Sequence, residues 1–383
     1  MIHFRSSARR FAGEALRGSK TRIRRSLERL QVRQFAPSDL ESLVFGQHHV
    51  GTQAFFLETL GSCHSVPLSQ FPHYQYLAQD HAVPTAGCEY DRYLSASWEY
   101  RYGSQGNTPE QRWAKMESFT QLARQIQDRC GQGLPPFRAP IRVCRRPDGR
   151  WILVDGNHRA SIALYMGLPI PAVAVRAHSH LAEIVWIPEE RYGSGRLSRP
   201  YQSLYLGRRE ILTGRRRDIR ERLSMVSHSD IADATVVDLG CNIGASCFLA
   251  AQEGAREVIG FDVSPRLVSA AIALNAYFAS PCRFYVHDLN CGAPEDARPA
   301  DTVFCFSIAR HVERRDGLRE ALLRMTRKVL YFEGHPNTSL SDYGDLLPGD
   351  EFPKVELIGL LPEAVDRPRR NRPLWRCERR AET

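Results

Sequence analysis

Two short stretches bring together residues able to hold an anion or a nucleoside. In "VVDLGCNIGASCFLAA" an apolar run enters a turn at Gly240 and Gly244 and passes at once into helical spacing. Glycines at such a turn permit tight curvature and let a ligand approach the backbone. Asn242, between them, is one of the few side chains that tolerates left-handed backbone angles. Some twenty residues on, "EVIGFD" ends in Asp262, where a carboxylate at the tip of a second strand suits paired hydrogen bonds to ribose hydroxyls. The other stretch, "VDGNHRASI", packs Asp155, Gly156, Asn157, His158 and Arg159 into consecutive positions. Backbone N–H groups at a helix start attract anions, and an imidazole and a guanidinium add donors for phosphate.

The elements that must position these groups are legible around them. From 235 onward, strand patterns ("TVVDLG", "EVIGFD", "CRFYVHD", "DTVFCFS", "KVLYFEG", "KVELIGL", "PLWRCER") alternate with helical ones ("GASCFLAAQEG", "SPRLVSAAIALNAYFA"). That alternation implies an α/β fold with a largely parallel sheet covered on both faces. Ligands of such sheets bind at the carboxyl edge. Ser307, Arg310 and His311 are expected there after the fourth strand, and Glu333, Gly334 and His335 after the fifth. The second stretch sits in a smaller unit. "IRVCRR" and "RWILVDG" flank the turn Pro147-Asp148-Gly149, and a helix over "NHRASIALYMGL" precedes the strand "IPAVAV". Upstream, "TPEQRWAKMESFTQLARQIQDRC" reads as a helix with Thr108 as N-cap and Pro109 at its first position. "SVPLSQFPHYQYL" reads as an ordered loop.

At 383 residues two domains are expected. The expected organisation is a basic helical leader over 1–45, an α+β domain over 46–190, a linker with approach helices over 191–230, and a doubly wound domain over 231–383. In the leader, Leu16, Ile23, Leu27 and Leu30 follow helical spacing among arginines. Such a helix suits packing on its own domain, with peripheral contact to an anionic membrane as the alternative. No apolar run approaches the roughly 18 residues that cross a bilayer, and charged residues interrupt any signal-peptide core, so a cytoplasmic protein is expected. The ten cysteines include no Cys-x-x-Cys pair, which argues against zinc knuckles and dithiol redox chemistry, and no metal cluster is evident. A net charge of +9, carried almost wholly by arginine, favours anionic partners without choosing among them.

The C-terminal motifs resemble those of class I S-adenosylmethionine-dependent methyltransferases, over about 200–383. "DLGCNIG" looks like that family's first motif, with Asp238, Gly240, Cys241, Asn242 and Gly244 in matching places. "GFD" matches its ribose-binding acid at Asp262, and "VHDL" its adenine-side acid at Asp288. "DTVFCFSIARHV" looks like the fourth-strand motif lining the methyl-transfer site, which adds Ser307 to the cofactor-binding set. The resemblance implies a Rossmann-like sheet and S-adenosyl-L-methionine as cofactor. If the acceptor is a hydroxyl or amine, a base is needed, and His311, Glu333 and His335 are the candidates. No Asn-Pro-Pro-Tyr-like sequence follows strand four, which disfavours a DNA-base or protein-glutamine acceptor.

Residues 60–180 resemble the ParB/sulfiredoxin fold, with the signature in about 35 residues around "IRVCRRPDGRWILVDGNHRA". The resemblance implies phosphate or nucleotide binding at Asp155, Gly156, Asn157, His158 and Arg159. Sulfiredoxins carry their catalytic cysteine where this chain has Asn157, so that redox chemistry is disfavoured. The expectation is a methyltransferase acting on a small-molecule or glycan acceptor, fused to a nucleotide- or phosphate-binding module. Two alternatives stand beside it: a nucleic-acid-associated ParB-like protein, less favoured, and a bifunctional small-molecule kinase–methyltransferase.

Overall fold

The computed structural model describes residues 32–43, 49–62, 65–79, 86–102, 107–185, 200–214, 219–362 and 371–380. The leader helix expected around Leu16–Leu30, and the linker at 191–199 and 215–218, lie outside them. The chain forms two compact units whose segments interleave. Of the described residues, one unit takes those in 32–42, 67–91 and 112–177, and the other takes the rest. The chain crosses between the units several times, once inside the helix Glu89–Tyr102.

The smaller sheet has six strands, β1 (Val32–Phe35), β2 (Leu40–Leu43), β3 (Ser65–Pro67), β4 (Ile141–Arg145), β5 (Trp151–Asp155) and β6 (Ile170–Val175), in the order β1-β6-β4-β5-β2-β3. The hairpin expected at Pro147-Asp148-Gly149 joins β4 to β5. Gly149 N–H donates to the Arg146 carbonyl at 3.0 Å, and Gly149 adopts φ 88°. Residues 32–43, read from sequence as the end of a helical leader, instead supply β1 and β2, and β1 pairs antiparallel with β6. Helices α1 (His49–Leu60), α2 (Pro72–Ala78), α3 (Glu89–Tyr102), α4 (Pro109–Gly131), α5 (Asn157–Tyr165) and α6 (Ala177–Ile184) complete this part of the chain. A capping box opens α4. Gln111 N–H donates to Thr108 Oγ1, Thr108 N–H donates to Gln111 Oε1, both at 3.3 Å, and Pro109 stands at the first turn. The segment read as a loop, 65–77, holds β3 and α2, with Pro72 starting the helix.

After 200, a hairpin of β7 (Leu204–Leu206) and β8 (Arg209–Leu212) stands where helices were expected, turned by Gly207 at φ 54°. Short helices α7 (Ile219–Ser224) and α8 (His228–Ile231) follow. All seven expected C-terminal strands form: β9 (Thr235–Leu239), β10 (Glu257–Asp262), β11 (Cys282–Val286), β12 (Ala300–Phe306), β13 (Thr326–Glu333), β14 (Lys354–Pro362) and β15 (Asn371–Glu378). Their order is β11-β10-β9-β12-β13-β15-β14. The pairings from β11 to β13 are parallel, and β15 runs antiparallel to both its neighbours. Helices α9 (Ala245–Gln252), α10 (Pro265–Phe278) and α11 (Arg315–Met325) flank the sheet. Val236, Val237, Leu239, Val303 and Phe304 are almost wholly buried, as central strands covered on both faces require. The strand order reverses between β9 and β12, and the carboxyl ends of these two strands frame the crevice where such sheets bind ligands.

Candidate functional site

The turn after β9 is held from several directions. Gly240 and Cys241 N–H both donate to the Phe261 carbonyl, at 2.8 and 2.9 Å. Gly240, Asn242 and Gly244 take φ of 75°, 56° and 79°, and Asn242 supports itself by accepting the Ile243 N–H at 2.9 Å. A Cβ on Gly240 would stand 2.4 Å from Ile308 Cγ2, and one on Gly244 would stand 2.7 Å from the Phe284 ring. The glycines let the turn press against the loop after β12 and against β11. Asp238 and Cys241 lie beneath the turn, both buried. Cys247 Sγ donates to Asp238 Oδ2 at 3.5 Å, and burial lifts the Asp238 carboxyl to about 7 against the pull of Arg222. Burial likewise pushes the Cys241 thiol up to about 11. Their side chains support the turn from beneath.

Asp262 has the geometry of an acceptor for a diol. Oδ2 accepts Asn242 N–H and Oδ1 accepts Ser264 N–H, both at 2.9 Å. A carboxylate offers about four lone-pair sites, so each oxygen keeps capacity while the group is fixed in place. Burial raises its pKa and these two backbone hydrogen bonds oppose the rise. Val263, beside it, is 62% exposed, an apolar surface at the carboxyl edge that sequence reading passed over. Asp288 is exposed after β11. Its Oδ1 caps the next turn by accepting Asn290 N–H at 2.9 Å and Nδ2 at 2.8 Å.

Beyond β12 and β13 the expected residues separate into two roles. Ser307 holds φ 60°, an uncommon conformation for a side chain with Cβ. Its N–H donates to the Glu333 carbonyl at 3.0 Å, and its hydroxyl donates to the Glu333 carboxylate. Glu333 is fully buried and ion-paired with Arg222 and, at 3.5 Å, with Arg372. The Arg222 guanidinium also lies 4.7 Å from the centre of the Phe306 ring. Ser307 and Glu333 are thus engaged with each other, and Glu333 with two arginines. Together they fix the loop that carries Ile308–His311. His335 is buried, and its Nε2 accepts the Arg310 N–H at 3.0 Å. Burial, then the positive charges of Arg310 and Arg372, lower its pKa to about 4. It too is a positioning group. His311 is exposed, with its ring 5.9 Å from that of His335, and it alone of the three candidate bases faces solvent. Arg222 and Arg372 were missed from the sequence, where one arginine among many carries no distinguishing mark.

In the smaller unit, Gly156 begins α5 at φ 107°, where a Cβ would stand 2.4 Å from Ile141 Cγ2. His158 points into a ring cluster, with centroids 4.5 Å from His73 and 5.0 Å from Phe119, and Nε2 pairs with the Tyr90 hydroxyl at 3.3 Å. Burial, with Lys115 and Arg159 nearby, lowers its pKa to about 4. Arg159 Nη1 donates to the Ala139 and Pro140 carbonyls at 2.7 and 3.0 Å, and Nη2 lies 3.8 Å from exposed Asp155. The side chains of His158 and Arg159 are held by these internal partners, and Asp155 is exposed at the end of β5. Asn157 opens α5 beside Gly156. Among the described residues no group of three or more His, Cys, Asp or Glu could hold a metal ion.

Comparison with known proteins bears on the larger unit. Residues 236–334 match the family model described as a methyltransferase domain. The match covers about a quarter of the chain. The matched span runs from β9 to the residue after Glu333, so it includes the glycine turn, Asp262, Asp288 and His311. The chain is 28% identical over 144 residues to a tRNA U34 carboxymethyltransferase of Shewanella piezotolerans, covering 35% of this chain and 41% of that protein. It is 25% identical over 144 residues to the protein of the same name from Aeromonas salmonicida, covering 36% and 42%. The chain thus spans about two fifths of the length of these curated relatives. The magnesium protoporphyrin IX methyltransferase of Synechocystis, solved with bound S-adenosylmethionine, aligns at 20% identity and a TM-score of 0.35, covering 42% of this chain and 77% of that one.

Proposed function

We propose that the chain is an S-adenosylmethionine-dependent methyltransferase whose cofactor lies across the carboxyl ends of β9 and β10. The supporting observation is Asp262, a carboxylate fixed by two backbone N–H groups beside the turn Gly240–Gly244. In this reading the turn and Asp262 hold the nucleoside, with Val263 and Asp288 at its base end. When bound, the cofactor supplies an electrophilic methyl group. Methyl transfer is an in-line displacement, so alignment does most of the work. The Ser307–Glu333–Arg222–Arg372 set and His335 hold the loop in place, and exposed His311 accepts the proton of an acceptor hydroxyl or amine. A cytoplasmic setting belongs to this reading; no helix among the described residues is long and apolar enough to cross a membrane.

The smaller unit is proposed to share the ParB/sulfiredoxin fold on the strength of its hairpin–helix–strand sequence motif. With His158 and Arg159 engaged internally, any phosphate or nucleotide there would rest on the backbone at Gly156 and Asn157. A small-molecule or glycan acceptor, inferred from the pairing of the two modules, is one reading. The names of the curated relatives favour an RNA acceptor instead. Transfer of label from methyl-tritiated S-adenosylmethionine to extracted RNA and to a metabolite fraction tests the assignment. Label in either fraction, lost in His311→Ala with cofactor binding retained, is expected. Transfer undiminished in His311→Ala would remove the base role, and no transfer to either fraction would count against the acceptor classes.

A further inference from the structure

A groove of about 1320 Å³ runs along α11 in the larger unit, away from the glycine turn. It is lined by six arginines, Arg315, Arg319, Arg324, Arg327, Arg379 and Arg380, and by three carboxylates, while Asp301 and Glu351 behind the wall pair with Arg327 and Arg379, so the positive charge left over is that of Arg319 and Arg380. Arg315, Arg319 and Arg324 climb one helix, separated by about 6 Å and about 7.5 Å along its axis at 1.5 Å per residue. Four of the six are ion-paired: Arg315 with Asp345, Arg324 with Glu320 at 3.6 Å, Arg327 with Asp301, and Arg379 with Glu351. Arg319 and Arg380 are exposed, and neither side chain forms an ion pair among the described residues.

The direction of the groove matters as much as its charge. Arg315 begins α11 directly after the loop that carries His311, at the carboxyl edge of the sheet. Thr326 and Arg327 open β13, and Arg379 and Arg380 follow β15, at the amino edge. The arginine line therefore leads away from the proposed methyl-transfer edge. Its lining includes no aromatic side chain and no Asn or Gln. A glycan would need such groups to pack and orient its rings, and stacked bases would need aromatic platforms. A row of guanidinium groups reads phosphates, and reads them without regard to sequence.

We infer that this groove holds the phosphodiester backbone of a nucleic acid whose reacting nucleotide sits at the carboxyl edge. The inference rests on the methyltransferase reading for the second half of that statement only. The test uses the full chain, a labelled oligouridylate measured by fluorescence anisotropy across a salt series, and the double variant Arg319→Glu/Arg380→Glu. The wild type binds with a steep salt dependence. The variant binds at least about tenfold more weakly, and its log–log salt slope is shallower by about 1.4, at about 0.7 per lost phosphate contact on a single strand. Its calorimetric binding of S-adenosylmethionine is unchanged, which shows that the fold is intact. Absent binding by the wild type, or an unchanged affinity and slope in the variant, overturns the groove while leaving the cofactor reading standing. Binding to phosphatidylglycerol vesicles in place of the oligonucleotide overturns it as well. Oligonucleotide loss in a protein that never binds the cofactor supports the groove and removes the methyltransferase reading.

Discussion

Glu333 shows how a residue can lie at the expected edge and serve a different purpose. Its fully buried carboxylate is set between Arg222 and Arg372 and accepts the Ser307 hydroxyl. Removing one partner of a buried ion pair strands the other charge. Glu333→Gln is therefore expected to destabilise the larger unit by about 3 kcal/mol, read from urea unfolding of the full chain, with activity lost through stability. A normal unfolding midpoint with abolished transfer would return Glu333 to catalysis. His158 and His73 give a second residue-scale expectation. Burial first, then neighbouring positive charge, depresses both imidazoles, His158 to about 4. Between that value and about 6.5 the unfolded chain binds more protons than the folded one, so stability falls as pH drops through this window. Hydrogen exchange across α5 is expected to quicken from pH 7 to pH 5 relative to its intrinsic rate, and less so in His158→Gln. The sequence showed a histidine and an arginine at a helix start. It could not show that the Tyr90, Phe119 and His73 rings, distant along the chain, would enclose the first, or that the Ala139 and Pro140 carbonyls would take the second.

Elements were more legible than side-chain directions. The seven C-terminal strands, α4 with its cap, and the β4–β5 hairpin could be read because local patterns carry them: alternation of strand and helix, a Thr-Pro helix start, a Pro-Asp-Gly turn. The β7–β8 hairpin was hidden among arginines that suit a helix as well. The role of α1 was hidden too, because it is set by a contact 231 positions away. Gln53, buried on α1, donates Nε2–H to the Phe284 carbonyl at 2.7 Å, and its Oε1 accepts the Phe284 N–H at 3.3 Å. One side-chain amide thus completes the outer edge of β11 as a further strand would, which protects an edge otherwise open to pairing. Gln53→Ala leaves both backbone groups of Phe284 without that partner and is expected to cost about 2 kcal/mol. An unchanged unfolding midpoint would show that water replaces the amide at no loss.

At the scale of the whole molecule, the two units draw on interleaved stretches of chain, with the described residues of 43–66 and 92–111 grouped with the C-terminal sheet. A cut near 190 would take α1 from that sheet, so a fragment starting at 200 is expected to be less soluble than the full chain. Composition suggested two domains but gave no sign of the interleaving, because segment membership is decided by tertiary packing and not by local pattern. The central claim, a nucleoside held between the Gly240–Gly244 turn and Asp262, is tested most directly by titrating S-adenosylmethionine into the wild type and Asp262→Ala in a calorimeter. Hydrogen bonds to a charged acceptor contribute about 1.5–3 kcal/mol. The wild type is expected to bind, and the variant to bind at least about tenfold more weakly. Equal affinity in the two proteins, or no heat from the wild type, would contradict the account.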